Sequence, residues 1–156
     1  MNKKHVDIYT DGACKGNPGP GGYGIVLVYR EIEKKISRGF RNTTNNRMEL
    51  LAAITALEAL NESCDVSLYS DSKYLIDGMT KGWAKNWKAN NWIKSDKKKA
   101  LNTDLWDRML SLNSKHTIEY IWVKGHNGHK YNEICDTLAV EAAENPTFDD
   151  NLGENI

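Results

Sequence analysis

Two segments of the chain share one pattern: an apolar stretch, a hydroxyl side chain, an aspartate and a small residue. The first, IYTDG, contains Asp11, and the second, LYSDS, contains Asp71. If these segments are parallel neighbouring strands, both carboxylates lie at the carboxyl edge of one sheet, where open α/β sheets place their sites. Each aspartate also has a structural interpretation, because Asp11 could begin a glycine-rich turn and Asp71 could cap the following helix.

Two further acids stand on predicted helices. Glu49 lies in the first turn of a long helix, within NNRMEL, and Asp136 lies in the last helix, within NEICDTL. The alternative for Glu49 is a capping box in which Asn46 is the cap and Glu49 reaches back to it. The alternative for Asp136 is a solvated helix face, where most helical acids are found.

Convergence of these four acids would require a cation. Two like charges about 4 Å apart repel by about 4 kcal/mol at an effective dielectric constant near 20. Several such pairs would rival the whole stability of a domain, about 5–15 kcal/mol. Ligands that are all oxygen favour Mg²⁺ or Mn²⁺ over zinc. Two such ions about 3.5–4 Å apart can activate a water and stabilise the leaving oxygen of a phosphodiester.

The apolar periodicity predicts the elements that position these acids. A helix over 44–60 is the clearest, because Leu50, Ile54, Leu57 and Leu60 recur at helical spacing. The six glycines and two prolines of 11–24 predict a loop. Strands are expected over 4–10, 25–29, 34–41, 65–70 and 117–123, and further helices over 71–80, 102–114 and 132–144. This order predicts an α/β fold, a mixed sheet with helices packed on it.

Composition narrows the class of protein. The 156 residues suit one domain, and a net charge of zero means that binding to nucleic acid would need a local patch. Three cysteines, without a CxxC pair, favour a reduced protein in the cytoplasm. We expect no signal peptide and no membrane span. The acidic segment 146–156 is expected to be a disordered tail that follows a domain over 1–145.

Two motifs are misleading. GPGGYG at 19–24 matches the glycine pattern of dinucleotide-binding proteins and kinases, but a β-branched strand follows it, and HRD and DFG motifs are absent. His126 and His129 form an HxxH pair, but the glycines around them predict a loop, and a zinc site needs further ligands.

A basic, aromatic segment covers 81–99. It contains seven lysines, one acid and three of the five tryptophans of the chain. Lysines can hold phosphates, and the tryptophans can either pack the segment or face a nucleic acid.

The motifs together resemble the bacterial kind of type 1 ribonuclease H, over about residues 6–144. They are YTDGACKGNPGPGGYG, TTNNRMELLAAITAL, YSDSKYL, GWAKNWKANNW and IWVKGHNGHKYNEICD. The resemblance implies a five-stranded mixed sheet flanked by helices, two Mg²⁺ ions and hydrolysis of the RNA strand of an RNA–DNA hybrid to 5′-phosphate and 3′-hydroxyl ends. It implies metal-binding acids at Asp11, Glu49, Asp71 and Asp136, and a catalytic loop histidine at His126.

The resemblance also implies how a hybrid is held. Amides of Asn17, Asn45 and Asn46, with the backbone at Cys14, would read the 2′-hydroxyls that mark the RNA strand. Thr44 with Asn17 resembles a pocket for a DNA phosphate. In the basic segment, the residues expected to contact substrate are Trp83, Lys85, Trp87 and Lys88. Lys73 stands where bacterial members commonly have Gln, so it can offer a charge but cannot accept a hydrogen bond.

Four hypotheses follow from these residues. A monomeric, Mg²⁺-dependent ribonuclease H, with Mn²⁺ as a possible substitute, uses every motif, and Glu133 is expected to assist near the metals. A binding module without catalysis predicts a broken acidic set, yet all four positions are filled. An integrase or resolvase lacks TNNRMEL and the basic segment. A phosphotransferase of the aspartyl-phosphate type would need Asp-x-Asp, whereas Asp7 and Asp11 are four residues apart.

Overall fold

Five strands form one mixed sheet in the order β3-β2-β1-β4-β5. This computed structural model describes residues 3–126 and 129–152, with the main chain alone for residue 126. The strands are β1 (His5–Cys14), β2 (Gly19–Tyr29), β3 (Ile32–Thr43), β4 (Asp65–Ser70) and β5 (Thr117–Trp122). Strands β1, β2 and β3 pair antiparallel, whereas β4 is parallel to both β1 and β5. The expected five-stranded mixed sheet is confirmed.

Helices cover both faces of the sheet. They are α1 (Asn45–Glu58), α2 (Lys73–Thr80), α3 (Trp83–Ala89), α4 (Thr103–Lys115) and α5 (Lys130–Glu144), and a 3-10 turn covers Lys124–His126. Helix α1 lies on β1 and β2 with α4 behind it, and α5 crosses β1, β2 and β3. On the α1 face, Ile8 and Ile25 are fully buried in the main core. On the α5 face, the sulfhydryl of Cys135 donates a hydrogen bond to the Tyr9 carbonyl.

The parallel pairing of β1 with β4 places the two aspartates side by side. The register joins Ile8 to Leu68 and Tyr9 to Tyr69. Two residues further on come Asp11, still in β1, and Asp71, directly after β4, and one carboxylate oxygen of each lies within 4.8 Å of the other. The strand arrangement that the repeated sequence pattern predicted is therefore present.

The loop expected over 11–24 is wrong. Strand β1 continues to Cys14 and β2 begins at Gly19, so only 15–18 separates them. The glycines of β2 serve packing here, because a Cβ at Gly24 would lie 2.3 Å from the Cys135 carbonyl oxygen and 2.7 Å from the Leu138 Cβ. Glycine in a strand permits this close approach of α5 and does not mark a turn.

The basic segment contains a helix that the sequence did not predict, α3. Trp87 on α3 packs against Trp106 of α4, with ring centroids 6.0 Å apart at 78°. Trp92 also packs against the core. Two of its three tryptophans therefore anchor this segment to the domain.

The expectation of a disordered tail after Pro146 is wrong for residues 147–152. The Phe148 amide donates to the Gly39 carbonyl, and the Arg41 amide donates to the Phe148 carbonyl. Asp150 accepts hydrogen bonds from Arg47 (2.7 Å) and from the Thr43 hydroxyl (2.6 Å). The expectation failed because acidic composition alone does not show that Asp150 has a buried partner, Arg47, about a hundred residues earlier in the chain. Residues 153–156 lie outside the described part of the chain, and the domain boundary at 145 stays a prediction.

Within the described ranges, no helix combines the length and the apolar character needed to cross a membrane.

The two neighbouring aspartates of the tail provide a matched stability test. The Arg47 and Asp150 side chains are only 1% and 6% exposed, whereas Asp149, which pairs with Arg41, is 81% exposed. Removing one partner of a buried pair costs about 3–5 kcal/mol. The loss should be smaller here, because Asp104 still pairs with Arg47 when Asp150 is removed. We therefore expect Asp150→Ala to lower the free energy of unfolding by about 2–3 kcal/mol. We expect Asp149→Ala to lower it by about 0–1 kcal/mol. Urea denaturation measures both, and equal losses would contradict this role of Asp150.

Candidate active site

Three acids from three different elements meet at the carboxyl edge of the parallel strands. Asp11 lies in β1, Asp71 directly follows β4, and Glu49 lies in α1. One carboxylate oxygen from each lies within 4.8 Å of the other two. Asp11 is 3% exposed and Glu49 is 5% exposed. The structure therefore brings together three of the four acids expected to bind metal.

Helix caps do not explain these acids. The cap of α1 is Thr44, whose hydroxyl accepts from the Arg47 amide at 3.2 Å. The cap of α2 is Ser72, whose hydroxyl accepts from the Leu75 amide at 3.2 Å. Glu49 therefore takes no part in a capping box, and Asp71 is not the cap of the helix that follows it.

A close approach of α1 to β1 brings Glu49 to the cluster. A Cβ at Gly12 would lie 2.9 Å from both the amide nitrogen and Oε1 of Glu49. Any side chain at position 12 would therefore push the helix and the strand apart. The glycine after Asp11 thus sets the distance between two of the acids.

Asp136 on α5 lies on the other side of the same cleft. It lines a cavity of about 400 Å³ together with Asp11, Glu49 and Asp71. The residue is solvent-exposed, as the helix-face interpretation expected, and it also faces the acids. The helix-face interpretation is therefore confirmed, and the role of Asp136 as a metal ligand stays a prediction that its position in the cleft permits.

Burial and mutual repulsion make ionisation of this cluster unfavourable. Burial, the charge of Asp71, and a hydrogen bond and charge from Asp136 together raise the pKa of Asp11 to about 9. Burial and the charges of Asp11 and Asp71 raise the pKa of Glu49 well above its usual range. Buried like charges of this kind become stable when a cation joins them.

The donor set fits a hard divalent cation. All three clustered ligand atoms are carboxylate oxygens, which Mg²⁺ and Mn²⁺ prefer. The open cleft leaves room for substrate beside them. The cluster can thus hold a metal and present it to an incoming phosphodiester.

The loop histidine falls outside what the structure describes. The side chain of His126 is not described, nor are residues 127 and 128. Next to it, Gly125 has φ of 61°, a left-handed conformation that favours glycine. Glu133 is exposed and lines a neighbouring groove with Lys35 and Leu138.

Several residues expected to bind substrate surround the acids. Asn45, Asn46 and Lys73 line the same cleft. The side-chain oxygen of Asn17 accepts from the Asn45 amide at 3.3 Å, which sets Asn17 beside the Thr44 cap. The Cys14 sulfhydryl donates to the carbonyls of Gly19 and Thr43.

The four candidates in the basic segment divide into two groups. Trp83 is 40% exposed, and Lys85 is exposed as well. Trp87 packs against Trp106, as the packing interpretation expected. Lys88 pairs with Asp107 at 2.6 Å. Trp83 and Lys85 therefore remain available for contact, and so does Lys88, whose pair with Asp107 is itself exposed, while Trp87 packs α3 against α4.

Trp122 also lies beside the site, although no sequence motif pointed to it as a site residue. It is the last residue of β5 and pairs with Ser70, the last residue of β4. Ser70 immediately precedes Asp71 in the chain. Its indole N–H donates to the Asp71 carbonyl at 3.2 Å, and its ring lies under the Lys73 ammonium. The one signal in the sequence was its place at the end of a predicted strand, because parallel strands end at the same edge of the sheet as the acids.

Comparisons with known proteins place the chain in a family. The family model for RNase H matches residues 3–144. Ribonuclease H of Desulforamulus reducens is 57% identical over 147 residues, 94% of this chain and 92% of the relative. Ribonuclease H of Syntrophus aciditrophicus is 60% identical over 141 residues, 90% of this chain and 82% of the relative.

A solved structure shows the same fold. LC9-RNase H1, described as a type 1 RNase H with the type 2 active-site motif, is 33% identical with a TM-score of 0.83. The match covers 94% of this chain and 75% of that one. On the family match and the identity to these relatives, the chain belongs to the RNase H family.

Proposed function

We propose that the chain is an endoribonuclease that hydrolyses the RNA strand of RNA–DNA hybrids and leaves 5′-phosphate and 3′-hydroxyl ends. The observation that carries this proposal is the buried carboxylate cluster that opens into a cleft lined by Asn45 and Asn46. Membership of the RNase H family supports the same reaction. The acids supply the chemistry, and the amides beside them select the strand.

The metal ligands in this proposal are Asp11, Glu49, Asp71 and Asp136. Two Mg²⁺ ions held there, or Mn²⁺ in their place, would lower the pKa of an attacking water and stabilise charge on the phosphodiester. Because the ligands stand on β1, α1, the end of β4 and α5, the packing of the domain fixes their spacing. His126 would move the proton, since a histidine with its ordinary pKa near 6.5 both accepts and releases protons at neutral pH.

Recognition of the hybrid uses two surfaces in this proposal. Asn45 and Asn46, with Asn17 and the Cys14 backbone, read 2′-hydroxyls, because an amide both donates and accepts hydrogen bonds. Thr44 with Asn17 holds a phosphate of the DNA strand, at the N-terminus of α1. Trp83, Lys85 and Lys88 extend the contact along the duplex, while Trp87 keeps that segment in place by packing against Trp106.

We further propose that the protein acts as a monomer in the cytoplasm, with residues 1–145 as the catalytic domain. All four acids come from one chain and line one cleft. The three cysteines are free, which fits a reducing compartment.

A panel of labelled nucleic acids tests the proposed function. We expect the protein with Mg²⁺ to cut the RNA strand of an RNA–DNA hybrid and to leave its DNA strand whole, because the cleft selects the strand with 2′-hydroxyls. Matched duplex DNA, duplex RNA and single-stranded RNA should stay intact, and a chelator should stop the reaction. Gel electrophoresis of end-labelled strands measures all of these.

Other results from this panel would assign the protein a different function. Binding of the hybrid without cutting would favour a module that has no catalytic activity. Cutting of duplex DNA would place the protein with another class of nuclease on this fold. Cutting in the presence of the chelator would show that cleavage does not require a divalent metal ion.

The substitution Asp11→Asn separates the catalytic role of the acid from its effect on folding. We expect it to abolish cleavage, because one metal ligand loses its charge. Without metal at neutral pH it should raise the free energy of unfolding by about 1–3 kcal/mol, because a buried Asp11 with a pKa of about 9 must take up a proton on folding and asparagine need not. Added Mg²⁺ should raise the melting temperature of the wild type more than that of the variant, because a ligand that binds the native state stabilises it.

Asp7→Asn is the matched control. Asp7 lies on the same strand but pairs with His5, away from the cluster. This variant should cleave like the wild type and should respond to Mg²⁺ in the same way. Substantial cleavage by the Asp11→Asn variant, or an unchanged response of its melting temperature to Mg²⁺, would remove Asp11 from the metal site.

A further inference from the structure

Trp122 contacts two residues at the rim of the acid cleft. Its indole N–H donates to the main-chain oxygen of Asp71 at 3.2 Å. The ammonium of Lys73 lies 4.4 Å from the centre of its ring. One side chain thus fixes the backbone of a proposed metal ligand and holds a cation two residues further on.

The ring determines where that cation stays. Lysine carries its charge on a flexible four-carbon stem, so an unheld ammonium would sample many positions. The face of an indole attracts a cation within about 6 Å of its centroid. Lys73 also lines the acid cleft, and Trp122 is 41% exposed. The ammonium therefore rests at the rim of the cleft, where it is accessible to a ligand.

We propose that Trp122 is a positioning residue that holds the Lys73 ammonium for a phosphate of the RNA strand. The inference rests on the proposed function and names one contact within it. A lysine binds phosphate as a point charge, so it suits the backbone of the strand and not a base edge. The RNA strand is the one assigned because Lys73 shares its cleft with the acids that would cut that strand.

Salt dependence tests the contact. Each phosphate neutralised by a protein adds about 0.7–0.9 to the slope of log affinity against log salt concentration. We expect Lys73→Gln to raise KM for a short hybrid more than it changes kcat, and to lower the salt slope of log KM by about 0.7–0.9. Lys115→Gln is the matched control, because Lys115 is exposed at the far end of α4, before β5 begins. It should keep the wild-type slope.

Variants of the tryptophan test its positioning role. Trp122→Ala removes the ring, so it should lose the same part of the salt slope as Lys73→Gln. Trp122→Phe keeps an aromatic face but cannot donate to Asp71, so it should retain most of the slope. In the Lys73→Gln background, Trp122→Ala should lower the salt slope no further, because each of the two changes removes the same phosphate contact. Urea denaturation establishes that each variant is folded.

Hybrids with one uncharged methylphosphonate linkage identify the phosphate. At one position of the RNA strand, away from the cut, the neutral linkage should remove the difference between the wild type and Lys73→Gln. If that position lies on the DNA strand instead, the assignment to RNA is overturned. If Lys73→Gln keeps the wild-type salt slope but changes the Mg²⁺ concentration needed for half-maximal rate, Lys73 serves the acids and the phosphate contact is overturned.

Failure of the Lys73 contact and failure of the proposed function give different results in these experiments. A wild type that does not cut the hybrid contradicts the proposed function itself. A wild type that cuts the hybrid, with Lys73→Gln and Trp122→Ala variants of unchanged salt slope, contradicts only the role of Lys73 and Trp122.

Discussion

Electrostatic repulsion among buried carboxylates is the constraint on which the rest of the structure depends. Oxygens of Asp11, Glu49 and Asp71 lie within 4.8 Å of one another, and two of these residues are almost fully buried. Left alone, such charges would separate or take up protons. The fold keeps them together by placing Asp11 in β1, Glu49 in α1 and Asp71 directly after β4, and the parallel pairing of β1 with β4 brings the two aspartates to the same edge of the sheet.

Close packing holds these elements at the required distance. Gly12 lets α1 approach β1, and Gly24 lets α5 approach β2, with contacts too short for any side chain. Arg47, two residues before Glu49 on α1, is fixed by Asp104 and by Asp150 of the C-terminal segment. The helix that carries Glu49 is therefore held both by the sheet and by the end of the described chain.

Much of the site could be predicted from the sequence, because strand ends and helical spacing are local signals. The repeated pattern around Asp11 and Asp71 predicted parallel neighbours, and the sheet has that arrangement. The glycines of β2 misled the prediction, because Gly22 and Gly24 allow the close contact with α5, which local sequence does not show. The packing of residues 147–152 and the position of Trp122 depend on partners far along the chain, Arg47 and Asp71, so no local pattern could reveal them.

Anomalous diffraction from crystals soaked in Mn²⁺ would show directly whether the carboxylate cluster is a divalent cation site. This measurement locates the ion without reference to activity. We expect anomalous peaks bounded by the carboxylates of Asp11, Glu49, Asp71 and Asp136, and loss of a peak in the Asp11→Asn variant. Peaks only elsewhere on the protein, or none at the cluster at saturating Mn²⁺, would contradict it.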